Sequence, residues 1–442
     1  VTTSAAGWYR RDGLFYPTCA LLLALAIGLR RLGLPFQTHD MQDFLLPWFD
    51  YIVTHGRFAA LSDNFYNYTP PYIYMMMAVS WLDGLIDRVT LIKSISFLFD
   101  GIAAFVVYRI AVVSGVTARR AILAALLFLD LPTLILNGAF WGQCDVIYMT
   151  FLLAFAYYLI RNCPFQAMLM YGIAISIKVQ AIFAAPFIVY LLLAGLVPIA
   201  AIIMLPLAYF LLILPAALAG RGWISLLTIY AGQAGIAQKL SARAPNIYLF
   251  VQHFLPPGLY PAAGIAAIGL AGLASLALLW SHFRMRRPLP ALFIIAALAL
   301  WLAMEPSLLP KMHDRYFFGA DVFAFVLAVL IPRAWWIAAL MQIGSALAYA
   351  WFLMIDHPSP IELHPAAFVG AAAAIPATIG LGFYYWRVVG GGAGSGAGQR
   401  PTAQSNPSAA KPGAISASAQ GGATGRLTNT KPRSGGSAPR SK

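Results

Sequence analysis

The chain has 442 residues, 61% of them apolar and only 10% charged, with a formal net charge of +14. Soluble globular proteins carry roughly 45–50% apolar and about 25% charged residues. The composition therefore excludes an ordinary cytosolic enzyme, a secreted disulfide scaffold and a disordered chain, and it calls for lipid as part of the solvent.

Three cysteines, Cys19, Cys144 and Cys163, are too few for a disulfide framework and lack metal-ligand spacing. Residues 389–442 read as a disordered cytoplasmic tail rich in Gly, Ser, Ala and Pro. They carry seven basic residues (Arg400, Lys411, Arg426, Lys431, Arg433, Arg440, Lys442) and no acid, which is half of the net charge. Such a tail suits weak contact with anionic membrane lipid. No aromatic residue interleaves its charges, so nucleic acid is not an expected partner.

In chain order, residues 15–34 read as a first transmembrane helix and not as a cleaved signal. Arg30, Arg31 and Pro35 close the run without a small-residue cleavage pattern. Further spans are expected at 90–112, 121–138, 145–161, 198–218, 261–283, 288–304, 316–332, 334–353 and 366–386. Segment 165–195 is decided by parity. Arg119, Arg120, Arg284, Arg286, Arg287, Arg333, Arg387 and the tail share one side only if this segment is a hairpin of two short helices broken near Lys178–Gln180. The expectation is an all-α, polytopic transmembrane bundle over residues 1–388, with about twelve spans and both termini inside. Arg30, Arg31, Arg57, Arg88, Arg221, Lys239, Arg243, Lys311 and Arg315 fall outside that bias, several of them in long loops that orient little. Two external segments, 36–89 and 219–260, are too long to be mere connections. The first holds an amphipathic stretch from Phe44 to Phe58 and an apolar one from Tyr72 to Leu85, suited to the membrane surface.

Polar residues in this setting are informative because lipid makes them costly. Asp40 and Asp43 follow the first span three residues apart, and on a helix they would share a face. They read either as a general base at the membrane surface or as a helix cap with a solvated neighbour. Trp141-Gly142-Gln143-Cys144-Asp145 joins the third and fourth spans. Gly142 permits a tight turn, Trp141 suits an interface, and Asp145 suits a helix N-terminus. Lys178 either serves a site or snorkels from the hairpin tip. Lys93 and Asp100, two turns apart, would face the bundle interior. Lys311, His313 and Arg315, beside Tyr316, Phe317 and Phe318, read as a phosphate clamp or an interfacial anchor.

Taken in order, these motifs resemble the GT-C superfamily of integral-membrane glycosyltransferases. The likeness is nearest to bacterial relatives of the GPI mannosyltransferases and of the dolichyl-phosphate-glucose glucosyltransferases. It is carried by the acidic motif after the first span, Trp141-Gly142-Gln143-x-Asp145, the Lys178-x-Gln180 hairpin and His313-x-Arg315-Tyr316. Asn67-Tyr68-Thr69-Pro70-Pro71-Tyr72 and Ala244-Pro245-Asn246 add to it, over about residues 10–335. The resemblance implies transfer of a sugar, mannose or another hexose or pentose, on the external membrane face. The donor would be a polyprenyl-phosphate sugar and the acceptor a lipid-linked or cell-envelope glycan, with no metal and no cofactor. It implies Asp40 as catalytic base with Asp43 as the neighbouring alternate. It also implies His313, Arg315 and Lys178 on the donor phosphate, and Gln143, Asp145, Tyr68 and Asn246 around the substrate. Two readings compete: a polytopic transporter or lipid flippase, and a non-catalytic polymer-synthesis scaffold. Against the former, the two halves show no internal repeat.

Overall fold

A computed structural model describes residues 6–233, 239–283, 289–353 and 365–394. These form an all-α bundle embedded in the membrane, with a single parallel pair of two-residue strands. Six helices are long and apolar enough to cross a membrane, or up to seven if the bent pair Ala118–Leu129 and Pro132–Trp141 is one span. That pair turns by 44° at the break before Pro132, where proline lacks the N–H that would continue the ladder. The count falls below the expected twelve because other apolar helices are short: Asp145–Ile160, Pro164–Ile177 and Val179–Leu193. The tail and Arg284, Arg286 and Arg287 lie outside the described residues.

Lipid explains the outer surface. Leu14, Leu21 and Ile27 on α1 (Ala6–Gly33) and Ile265, Leu273 and Leu276 on α14 (Tyr260–His282) are exposed. In water such a girdle would forfeit roughly 25 cal/mol per Å² of apolar surface, whereas hydrocarbon leaves it at no cost. Inside, helix α15 (Ala291–Leu308) is buried almost all round, which accounts for its lack of an apolar stripe. Small residues let helices close up. Gly344 of α17 (Trp335–Leu353) faces Gly370 of α18 (Pro365–Gly394), and a Cβ on Gly370 would stand 2.7 Å from the Gly344 carbonyl oxygen.

The break in segment 165–195 falls at Lys178, whose backbone is extended (φ −144°, ψ 134°) between α8 (Pro164–Ile177) and a 3₁₀ turn, Val179–Ala184. Lys178 reaches Asp145, the first residue of α7 (Asp145–Ile160). Tyr190 of α9 (Ala185–Leu193) lies instead against His282 and Phe293, at the far ends of α14 and α15. The chain thus turns back at Lys178, as a hairpin tip requires.

Lys93 and Asp100 of α4 (Arg88–Val113) are buried, but they serve different neighbours. Lys93 donates to the carbonyls of Gly33 (2.7 Å), Leu34 (3.3 Å) and Phe36 (2.5 Å), and so caps the end of α1. Asp100 pairs with Arg30 at 2.7 Å. Gly33 is needed there, since a Cβ would lie 2.8 Å from the backbone of Ala139. These polar groups hold the first helix against the bundle.

Candidate functional site

The segment after α1 begins with a π-helical turn, Met41–Leu45, and Asp40 precedes it. Its side chain makes no capping bond to the turn, so the cap expected as an alternative is absent. The Asp40 carboxylate reaches across to the loop between Trp141 and α7. Its Oδ2 accepts from Trp141 Nε1 at 2.8 Å and from Gln143 Nε2 at 2.6 Å, and it lies 3.5 Å from an Arg315 guanidinium nitrogen.

That loop has its shape for identifiable reasons. Gly142 sits at φ +81°, a backbone state that favours glycine, and a Cβ there would also press on Met41 Cε at 2.6 Å. Backbone bonds fix the turn from both sides: Gln143 N–H to Asn137 O (2.9 Å), Ser96 Oγ to Gln143 O (2.8 Å), Thr38 Oγ1 to Trp141 O (3.0 Å). The Gln143 amide is oriented by charge. Its Oε1 accepts from Lys178 Nζ (3.2 Å) and Tyr68 OH (3.1 Å), while its NH₂ faces the carboxylate.

Behind Gln143 lies a buried ion pair. Lys178 Nζ meets Asp145 Oδ1 at 2.5 Å, and Asn137 Nδ2 donates to Asp145 Oδ2 at 2.8 Å. The side chains are only 5% and 2% exposed. Lys178 therefore does not snorkel. Its charge is met by Asp145 and by the Tyr68 ring, whose centroid is 5.0 Å away, so it orients the site from within. In front, the Asp40 and Arg315 side chains keep 26% and 20% exposure. Arg315 lies over the Trp141 ring, 5.7 Å from its centroid, and its Nε is buried without a partner. The Arg315–Asp40 separation exceeds the ~2.7–2.9 Å of a close charge-assisted bond. The guanidinium is thus positioned near the carboxylate without being saturated by it.

Six of the expected residues meet in this cluster: Asp40, Tyr68, Gln143, Asp145, Lys178 and Arg315. Three do not perform as expected. Asp43 is exposed and makes no hydrogen bond or ion pair among the described residues, because the wide π turn carries it off the face of Asp40. Asn246 is fully buried; it caps α13 (Ile247–Phe254) through Tyr248 N–H and donates to Pro306 O at 3.0 Å, so it ties the start of α13 to the last turn of α15. His313 adjoins Arg315 and packs on Tyr316, but it adds no charge. Burial, helped by Arg315 and Arg243, pushes its pKa down to about 4.

Sequence reasoning missed four contributors. Trp141, read as an interface residue, is buried and holds Asp40. Its place two residues from Gln143 was the available signal. Asn137, Arg243 and Asp314 carry no motif that marks them.

No family model matches the chain, and no curated protein is significantly similar to it. A partly exposed carboxylate held by two neutral donors stands next to an incompletely paired guanidinium. Among the described residues no group of three or more His, Cys, Asp or Glu is placed to hold a metal ion.

Proposed function

We propose that this chain is a GT-C-like glycosyltransferase that moves a sugar from a polyprenyl-phosphate donor to a lipid-linked or cell-envelope glycan. The observation that carries the reading is the pairing of Asp40 with Arg315 at 3.5 Å, one as base and the other as anion ligand. The acceptor hydroxyl attacks the anomeric carbon and gives its proton to Asp40. The bond from that carbon to the phosphate oxygen breaks, and the lipid phosphate departs with the electron pair. General base catalysis of this kind is worth roughly 10²–10⁴-fold, and a fixed guanidinium stabilises the charge that develops on the leaving group. No nucleotide-binding loop is needed for a lipid-borne sugar.

Twelve passes, both termini inside and Asp40 on the external face make up the matching topology. Arg120, Ser114 and Pro332 line a common cavity, and Tyr384 OH donates to Arg333 O. The basic positions Arg120, Arg333 and Arg387 therefore gather at one end of the bundle, as a cytoplasmic end would have them. The short helices around Lys178 count as passes in this reading.

The deciding experiment incubates the purified protein in lipid with a panel of radiolabelled polyprenyl-phosphate sugars and envelope acceptors. Transfer that is lost in Asp40→Asn supports the proposal. Movement of lipid between leaflets without any bond formed would favour a flippase instead.

A further inference from the structure

Arg243 stands at the start of two separate supports of Asp40. Along the first, Arg243 Nε lies 3.7 Å from Asp314 Oδ2, and Asp314 Oδ1 accepts the backbone N–H of Arg315 at 3.0 Å. Arg315 then reaches Asp40 at 3.5 Å. Along the second, the Arg243 guanidinium lies over Phe352, 5.4 Å from its centroid. Phe352 stacks on Trp141 with centroids 4.0 Å apart and planes at 15°, and Trp141 Nε1 donates to Asp40 at 2.8 Å. The two routes share no residue between their ends.

The backbone is held in an unusual state to achieve this. Arg243, which bridges to His313, has φ +71°, and Lys311, which faces Leu240, has φ +65°. A left-handed non-glycine residue is strained and persists only where its surroundings fix it. Here the parallel pairing of β1 (Ser241–Ala242) with β2 (Met312–His313) fixes both, together with Lys311 N–H to Leu240 O at 2.7 Å. Glycine would take the same backbone without strain. The arginine side chain is what that position gains in return.

We propose that Arg243 is a positioning residue for Asp40, setting both Arg315 and Trp141 from outside the cluster and tying segment 239–246 to the carboxylate. The proposal rests on the glycosyltransferase reading only for its activity readout.

The test compares Arg243→Met, Arg243→Lys and Asp314→Asn with the wild type in lipid nanodiscs. It measures kcat, donor KM and backbone amide exchange. Arg243→Met should lower kcat about tenfold or more, with donor KM raised no further than in Arg315→Ala, since it displaces that guanidinium without removing it. Arg243→Lys should recover part, since an ammonium keeps the charge against Asp314 but cannot lie flat on Phe352. Asp314→Asn breaks one route of the two, so it should cost less than Arg243→Met. Amide exchange should quicken at 311–316 and at 139–142 in Arg243→Met, but only at 311–316 in Asp314→Asn. If Arg243→Met does not fold, the other two variants decide by the same measures. A rise in donor KM at unchanged kcat would make Arg243 a direct donor ligand and overturn the proposal, as would unaltered kinetics. If the wild type transfers no sugar, the glycosyltransferase reading falls. Amide exchange then decides alone: quickening at both segments upholds the positioning role, and unchanged rates refute it.

Discussion

Trp141 Nε1 donates to Oδ2 of Asp40, and Gln143 and Arg315 approach the same oxygen. Among the described residues Oδ1 accepts no hydrogen bond. One oxygen thus anchors the carboxylate while the other remains available to receive a proton. Asp40→Asn keeps the size and the accepting oxygen but removes the basicity. It should fold, bind donor lipid and lose sugar transfer by roughly 10²–10⁴-fold. Asp43→Asn changes an exposed group outside the cluster and should stay within about threefold of wild type. A dead Asp43→Asn beside an active Asp40→Asn would move the base to Asp43.

Arg315 is the one cation of the cluster that retains both exposure and an unpartnered nitrogen. Arg315→Ala should weaken donor binding and slow transfer by one to two decades, the loss expected for a charged hydrogen bond of ~1.5–3 kcal/mol. Arg315→Lys should regain only part, because an ammonium lacks the planar fork. Binding of undecaprenyl phosphate to the two variants, read beside turnover, checks this. Unchanged donor affinity and turnover in Arg315→Ala would remove its role as a phosphate ligand.

Much of this is legible in the sequence, and the reasons differ by residue. Lipid makes every buried charge expensive, so Lys178 and Asp145 stood out in apolar sequence, and their pairing follows from that cost. Parity called for a hairpin in 165–195, and the polar Lys178 and Gln180 marked its break, where the backbone of Lys178 does extend. Asp40 and Gln143 are 103 residues apart, and only their shared resemblance to one family brought them together. The misses are of another kind. Sequence spacing assumes an α turn, and the π turn at Met41–Leu45 defeated it for Asp43. The charge of His313 depends on burial set by distant helices. Asn246 lay inside a motif yet spends its side chain on Tyr248 and Pro306, a use that spacing alone does not reveal.

The Lys178–Asp145 pair predicts strong non-additivity. Lys178→Met leaves Asp145 charged and buried, and losing one partner of a buried pair typically costs about 3–5 kcal/mol. Asp145→Asn should be similarly harmful, since it strands the ammonium. The double variant removes both charges and should recover a large part of the loss. Thermal unfolding of the three proteins in detergent measures the coupling. Simple addition of the two single losses would show that the pair is not a unit.

Topology makes a prediction independent of catalysis. The proposed topology puts Asp40 outside, so a cysteine at exposed Ala59 in the segment after α1 should react with an impermeant maleimide on intact cells. A cysteine at Ser416 in the tail should react only after lysis. Both are placed in a background lacking Cys19, Cys144 and Cys163. Labelling of the tail from outside would break the parity on which the Lys178 hairpin was argued.

The loop beside Arg315 carries two titrating groups that oppose each other. Burial raises Asp314 to about 6 despite Arg243 and Arg315, and burial lowers His313 to about 4 with help from the same two arginines. Between about pH 4 and 6 the folded state holds the Asp314 proton more tightly than the unfolded chain, so this group loses stability as pH rises. Between about pH 4 and 6.5 the unfolded chain holds the His313 proton more tightly, so that group gains stability as pH rises. Each effect amounts to at most ~3 kcal/mol, and in the wild type they largely cancel. Asp314→Asn removes the falling contribution. Its melting temperature, measured relative to wild type, should rise from pH 4.5 to 6.5. His313→Gln removes the rising contribution, and its relative melting temperature should fall across the same interval. Shifts of the same sign in both variants would contradict the assignment, because only opposite protonation preferences in the folded state separate them.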